Sequence, residues 1–131
     1  MSRFINPLRI GYIKEHACQA FGRDVQSLKP FEGLRLLDIG CGGGLICEPM
    51  ARLGAEVTGL DASEKNIKTA RLHAEQMELA IDYQVETAEE HTAHHDGYDI
   101  VLALEIIDHV TDPEAFIASC AALVKPGGLL V

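Results

Sequence analysis

Leu36-Leu37-Asp38-Ile39-Gly40-Cys41-Gly42-Gly43-Gly44 is the stretch that decides the fold: an apolar run that closes on a carboxylate and then on glycines describes a buried strand feeding a ligand-binding turn. Gly40, Gly42 and Gly44 keep a G-x-G-x-G spacing, whereas the dinucleotide fingerprint would set its third glycine where Leu45 stands. The spacing argues against NAD. The turn reads instead as a seat for S-adenosylmethionine, with Gly40, Gly42 and Gly44 against the cofactor and the free N–H groups of the following helix aimed at it.

Working outward, Ala55-Glu56-Val57-Thr58-Gly59-Leu60-Asp61 is a second buried strand that ends on an acid. A carboxylate at that tip accepts hydrogen bonds from both hydroxyls of a ribose, and Asp61 follows the first glycine by about the 20 residues such a pairing requires. Read singly, the two features have plainer explanations, because glycine turns also serve helix-strand packing and an Asp after a strand is often a helix cap. Together they specify a nucleoside site.

The rest of the chain alternates in the same rhythm. Asn6-Pro7 starts a helix whose apolar stripe, Leu8, Tyr12, Ile13 and Phe21, is read as core packing. Residues 23–33 form a connector, and strand one is expected from Leu34 to Ile39. Leu45 to Leu53 is the first crossover helix and Glu56 to Leu60 the second strand; Ser63 caps a helix running to about Met77. Ile81 to Val85 and Tyr98 to Leu104 are further strands, Asp112-Pro113-Glu114 opens a helix to Leu123, and a Lys125-Pro126-Gly127-Gly128 turn leads into Leu129-Leu130-Val131. The expected fold is α/β: a doubly wound, mostly parallel Rossmann-like sheet cut off after strand five. Residues 1–131 make one cofactor-binding domain, with 1–33 its N-terminal helix and connector and 34–131 its βαβ core. Gly40, Asp61, the 86–90 segment and Leu104 all fall at the carboxyl ends of strands, where this fold binds ligands.

Composition limits the function. A chain of 131 residues, 47% hydrophobic and with a formal charge of −9, suits a soluble cytoplasmic domain with a real core. Such a charge, without a basic patch, disfavours nucleic acid and anionic lipid. Cys18, Cys41, Cys47 and Cys120 are scattered without a C-x-x-C pair, so they read as reduced, packed thiols.

After the fourth strand, Glu105, Asp108 and His109 bring two carboxylates and an imidazole onto one side of a helical turn. Such a trio can ligate a divalent ion such as magnesium, or His109 can act alone as a general base; the plainer alternative is that all three are solvated or capping groups. Glu89 and Glu90 can place a carboxylate beside the adenine amino group. His91, His94, His95 and Asp96 have metal-ligand chemistry, but their polar setting before Gly97 reads as a solvated turn. Arg9 can reach the carboxylate of a methionine moiety.

Asn6-Pro7-Leu8-Arg9, the Leu36 to Gly44 turn, Val57 to Asp61, Glu86-Thr87-Ala88-Glu89-Glu90-His91, Glu105 to Val110 and Val124-Lys125-Pro126-Gly127-Gly128 together resemble the ubiquinone-biosynthesis O-methyltransferases. The resemblance covers nearly the whole chain. It implies that Arg9, Gly40, Asp61 and Leu104 contact S-adenosylmethionine, and that Glu105, Asp108 and His109 occupy positions that bind a divalent metal in some members. Glu105 and His109 are then the catalytic candidates. It further implies a lipid-soluble polyprenyl phenol as methyl acceptor, with peripheral association at the inner membrane or with a biosynthetic complex. Members usually carry Glu at the place of Asp108, and they are considerably longer, so this chain is expected to be a fragment whose fifth strand forms an exposed edge. Other readings are a methyltransferase for a different small molecule and a non-catalytic S-adenosylmethionine-binding module.

Overall fold

The computed structural model describes residues 7–93, 97–104 and 110–131. Five strands, β1 (Arg35–Ile39), β2 (Glu56–Asp61), β3 (Asp82–Val85), β4 (Tyr98–Leu102) and β5 (Val124–Leu130), form one sheet in the order β3-β2-β1-β4-β5. Every pairing is parallel. The order reverses direction between β1 and β4, which opens a crevice at their carboxyl ends.

The strand residues alternate between two apolar layers. Leu36 and Val57 face a cluster built with helices α1 (Pro7–Phe21), α2 (Cys47–Arg52) and α3 (Glu64–Gln76). Leu37, Ile39 and Leu60 face the opposite cluster, built with helices α4 (Ala88–Thr92) and α5 (Pro113–Ala122). Helices thus cover both faces, as a buried parallel sheet requires. Ser63 and Asp112 cap α3 and α5 as their positions foretell, accepting from the backbone N–H of Asn66 and Ala115. The four cysteines are free and buried.

Several local expectations are corrected. Leu8 and Tyr12 on α1 are 81% and 55% exposed, while Ile13 is fully buried, so only one side of the stripe is core. The connector is anchored, because Phe31 is fully buried and the Arg23 guanidinium bonds the Pro30 and Glu32 carbonyls at 3.1 and 2.7 Å. Helix α4 was not expected at all. Strand β5 begins at Val124, opposite Tyr98, and resumes at Leu129, opposite Ile100; between those anchors β4 advances two residues and β5 five, so the Lys125 to Gly128 turn is a bulge inside the strand. Among the described residues no helix is long and apolar enough to cross a membrane.

Candidate functional site

At the end of β1 the chain turns through Gly40, Gly42 and Gly44, all with positive φ (73°, 55° and 89°). Their reasons differ. A Cβ on Gly42 would meet nothing within 4 Å, so its glycine serves the left-handed backbone alone. A Cβ on Gly44 would lie 2.3 Å from the Tyr83 hydroxyl and 3.6 Å from Ala70 Cβ. Gly44 is buried, so packing beneath the turn also requires glycine there.

Tyr83 itself rises from β3 and is 2% exposed, and its hydroxyl has no nitrogen or oxygen partner among the described residues. Burial, with Cys47 and Cys41 beside it, raises its pKa far above that of an ordinary phenol. Around it lie the buried Asp38 and the Cys47 thiol, which donates to the Asp38 carboxylate at 3.5 Å. The contact with Cys41, burial and that carboxylate together push the Cys47 thiol up, so it stays protonated. Cys47 under the turn is therefore a neutral thiol and not a nucleophilic thiolate.

Asp61 closes the turn from the β2 side. Its Oδ2 accepts from the Gly42 N–H and its Oδ1 from the Ser63 N–H, both at 2.8 Å, with the Asn66 amide at 3.5 Å. One carboxylate thereby holds both the glycine turn and the start of α3. An ionised carboxylate has about four acceptor positions, so these two short bonds leave capacity for hydroxyl groups of a ligand.

The third wall comes from the segment between β3 and α4. Thr87 caps α4 in a full capping box, its hydroxyl accepting from the Glu90 N–H at 3.2 Å while the Glu90 carboxylate accepts from the Thr87 N–H at 2.9 Å. Glu90 is thus occupied locally, and Glu89 is the acid left on the cavity wall. His91 is fully buried. Its Nδ1 lies 2.6 Å from a Glu86 carboxylate oxygen and its Nε2 lies 2.8 Å from the Tyr98 hydroxyl, which overturns the solvated-turn reading for this histidine. The Arg35 guanidinium stacks over the Tyr98 ring at 5.0 Å.

These walls enclose a cavity of about 420 Å³ at the carboxyl ends of the strands. That size falls among small-molecule sites, roughly 300–1,000 Å³. Gly40, Asp61 and Glu89, three of the residues singled out by sequence, line it together with Glu86, Asp112 and Phe116. Gly42 reaches the site through Asp61, and Gly44 lies below it. Arg9 on α1 and Leu104 after β4 are partly buried and do not line the cavity. Glu105, Asp108 and His109 lie outside the described residues, as do His94, His95 and Asp96. Among the described residues no cluster of three or more His, Cys, Asp or Glu side chains could hold a metal.

Residues 37–131 match the methyltransferase-domain family. The chain belongs to that family. The chain is 55% identical over 125 residues to the ubiquinone biosynthesis O-methyltransferase of Chelativorans sp., an alignment that takes in 95% of this chain and 49% of the relative. The chain spans about half the length of the curated relatives it matches. Among solved structures it resembles the YcgJ protein from Bacillus subtilis, with TM-score 0.77 at 22% identity over 95% of this chain and 50% of that one, a likeness of fold. It also resembles magnesium protoporphyrin IX methyltransferase from Synechocystis, determined with bound S-adenosylmethionine, with TM-score 0.71 at 25% identity over 90% of this chain and 54% of that one.

Sequence reasoning took His91 for part of a solvated turn, reached Glu86 only as part of the 86–90 segment at the strand ends, and missed Tyr98 and Tyr83. The Glu86/His91 spacing offered a faint signal, since five residues bridging a strand end and one helical turn can bring a carboxylate to an imidazole. Nothing local announced Tyr98 or Tyr83 as partners, because each contact joins a strand to a different element, Tyr98 to helix α4 and Tyr83 to the glycine turn.

Proposed function

We propose that this methyltransferase domain binds S-adenosylmethionine in the cavity bordered by Gly40, Asp61, Glu86 and Glu89, and that it forms the cofactor part of an O-methyltransferase of ubiquinone biosynthesis. The observation that carries the reading is the character of the cavity wall: carboxylates of Asp61, Glu86, Glu89 and Asp112 stand beside apolar groups, and among the described residues none that lines it is Lys or Arg. A pyrophosphate would meet only like charge there, whereas a cofactor with neutral ribose hydroxyls, an adenine amino group and a sulfonium cation meets acceptors. In this reading Asp61 takes the ribose hydroxyls, Glu89 lies on the adenine side, and the Gly40 to Gly44 turn faces the methionine part. The methionine end extends past these lining residues, where Arg9 pairs with its carboxylate and Leu104 packs against the cofactor.

The acceptor is a phenolic oxygen of a polyprenylated catechol or quinol, in keeping with the Chelativorans relative at 55% identity. The oxygen attacks the sulfonium methyl in line. The O–C bond forms as the C–S bond breaks, and the bonding electron pair returns to sulfur, leaving neutral S-adenosylhomocysteine. Because the donor is already activated, the protein's tasks are alignment and removal of a phenolic proton whose ordinary pKa is about 10. His109 takes that proton, and Glu105 is the second catalytic candidate. The donor set of Glu105, Asp108 and His109 also has the chemistry to hold a magnesium-like ion, which would supply positive charge to lower the phenol's pKa. The setting is cytoplasmic, with peripheral contact to the inner membrane or to a biosynthetic complex for a lipid-soluble substrate.

Calorimetric titration of the chain with S-adenosylhomocysteine tests the cofactor assignment. Saturable binding is expected, absent for NAD and strongly weakened in Asp61→Ala; a folded chain that ignores the ligand, or binds NAD equally well, overturns it. Activity of the protein with a phenolic acceptor that survives EDTA unchanged would remove the metal and leave His109 as base.

A further inference from the structure

The histidine that looked solvated from the sequence sits at the centre of a buried relay. Tyr98 at the start of β4 meets His91 Nε2 at 2.8 Å, and His91 Nδ1 meets Glu86 at 2.6 Å. The imidazole is fully buried and Tyr98 is 1% exposed, so neither contact is a surface coincidence. Proton directions follow from the chemistry. An ionised carboxylate only accepts, so Nδ1–H donates to Glu86, which leaves Nε2 to meet the Tyr98 hydroxyl. Burial raises the Tyr98 pKa, opposed by Thr58 and Arg35, which keeps that hydroxyl protonated and donating.

The far end of the relay is the cavity. Glu86 lines it, and the Glu86 N–H donates to the Asp61 carbonyl at 3.1 Å, joining the β3–α4 segment to the residue assigned to the ribose. Building on the cofactor reading above, we infer that His91 is a positioning residue for the adenosyl part of the cofactor: through Nδ1 it fixes the Glu86 carboxylate and the wall that carries Glu86, Thr87 and Glu89. His91 touches no cofactor itself in this scheme. Its work is to keep a carboxylate on a short loop in one place, backed by the sheet through Tyr98.

The test compares the full chain with His91→Leu, His91→Gln and Tyr98→Phe, titrating each with S-adenosylhomocysteine and with methylthioadenosine, which keeps the adenosine but lacks the amino acid. Leu fills the apolar space and removes both hydrogen bonds; Gln can donate to Glu86 and accept from Tyr98. His91→Leu is expected to weaken both ligands equally, by about tenfold, the scale of one unpaired buried polar contact. Tyr98→Phe should give a smaller loss of the same kind, and His91→Gln should restore part of it. Thermal unfolding of each variant separates this from mere loosening. Variants that melt earlier yet bind both ligands like the unsubstituted chain would overturn the inference. Should His91→Leu fail to fold, Tyr98→Phe decides: unchanged affinity overturns the inference, and a matching loss on both ligands upholds it. A folded, unsubstituted chain that bound neither ligand would instead overturn the cofactor reading, and this inference with it.

Discussion

The glycine turn and the β3–α4 segment wall the same cavity with different parts of the chain. At the turn the backbone makes the shape: Gly40, Gly42 and Gly44 adopt positive φ, and one carboxylate, Asp61, ties the Gly42 N–H to the sheet at 2.8 Å. In the β3–α4 segment side chains make the shape, through the Thr87–Glu90 capping box and the buried Glu86–His91–Tyr98 relay. A backbone device tolerates almost no change at its glycines and needs few partners. A side-chain device spreads its hold over several residues, each removable at moderate cost. The two walls should therefore fail differently.

Gly44→Ala should produce the largest effect. The new Cβ would sit 2.3 Å from the Tyr83 hydroxyl at a backbone φ of 89°. Overpacking and left-handed strain together cost about 3 kcal/mol or more. Gly42→Ala, with strain but open space around its Cβ, should cost about 1–2 kcal/mol. Urea unfolding of both variants checks the ranking, and equal losses would show that φ alone governs the turn. Tyr83→Phe removes a hydroxyl with no nitrogen or oxygen partner among the described residues, so it should be near neutral alone and should recover part of the Gly44→Ala loss.

Asp61→Ala comes next and should act on binding as well as on the turn. It removes acceptors from the Gly42 and Ser63 N–H groups, both at 2.8 Å, along with the proposed ribose contacts. Hydrogen bonds to a charged group contribute about 1.5–3 kcal/mol each, so affinity for S-adenosylhomocysteine should fall by at least about thirtyfold. Asp61→Asn, which keeps an acceptor without the charge, should fall between. An Asp61→Ala chain that binds normally would reduce Asp61 to a brace for the turn.

This difference between the walls also explains what could be read in advance. The glycine turn, the Asp61 tip and the caps at Ser63 and Asp112 depend on neighbours within a few residues or on a fixed strand-to-strand spacing, and all were legible. The parallel sheet followed from the alternation of its elements. What stayed hidden was settled by distant contacts: Tyr83 reaching under Gly44 from β3, Tyr98 meeting His91 from β4, and the anchored Phe31 in a segment that reads as plain connector. Leu8 and Tyr12 misled for the same reason, since an apolar stripe says which side is greasy but not how much of it the sheet can cover. Gly44 was marked from the sequence for cofactor contact, and the packing demand that Tyr83 places on it from below was not legible there.

The layer on which the β3–α4 segment rests offers a pH test. Cys120 on α5 packs with Ala88 and Tyr98, and burial pushes its thiol up to about 11 from an ordinary 9.0. The folded state thus holds the proton more tightly than the unfolded state. Its stabilising contribution is complete below pH 9 and is lost as pH rises from 9 towards 11, because the unfolded thiol ionises first. The loss should approach about 2 kcal/mol at the upper end. Urea midpoints measured at pH 8 and pH 10.5 should fall further apart for the unsubstituted chain than for Cys120→Ala. Equal pH dependence would mean that Tyr83 and Tyr98, whose pKa values burial also raises, dominate the alkaline limb.

Thr87→Ala should have the smallest effect and divides the side-chain wall most finely. Helix α4 has only five residues, too few to persist on its own propensity, so the cap and the buried faces of Ala88 and His91 must hold it. Losing the Thr87 hydroxyl should cost about 1 kcal/mol and speed amide exchange across α4. The Glu86–His91 contact does not pass through that hydroxyl, so the carboxylate should stay in place and affinity for S-adenosylhomocysteine should change by less than about threefold. His91→Leu loosens the same helix and also releases Glu86, so the ratio of affinity lost to stability lost should be several times greater for it than for Thr87→Ala. Equal ratios would mean that the cavity responds to the order of α4 as a whole, and the wall would then resemble the glycine turn, a piece of backbone whose shape matters more than any one of its side chains.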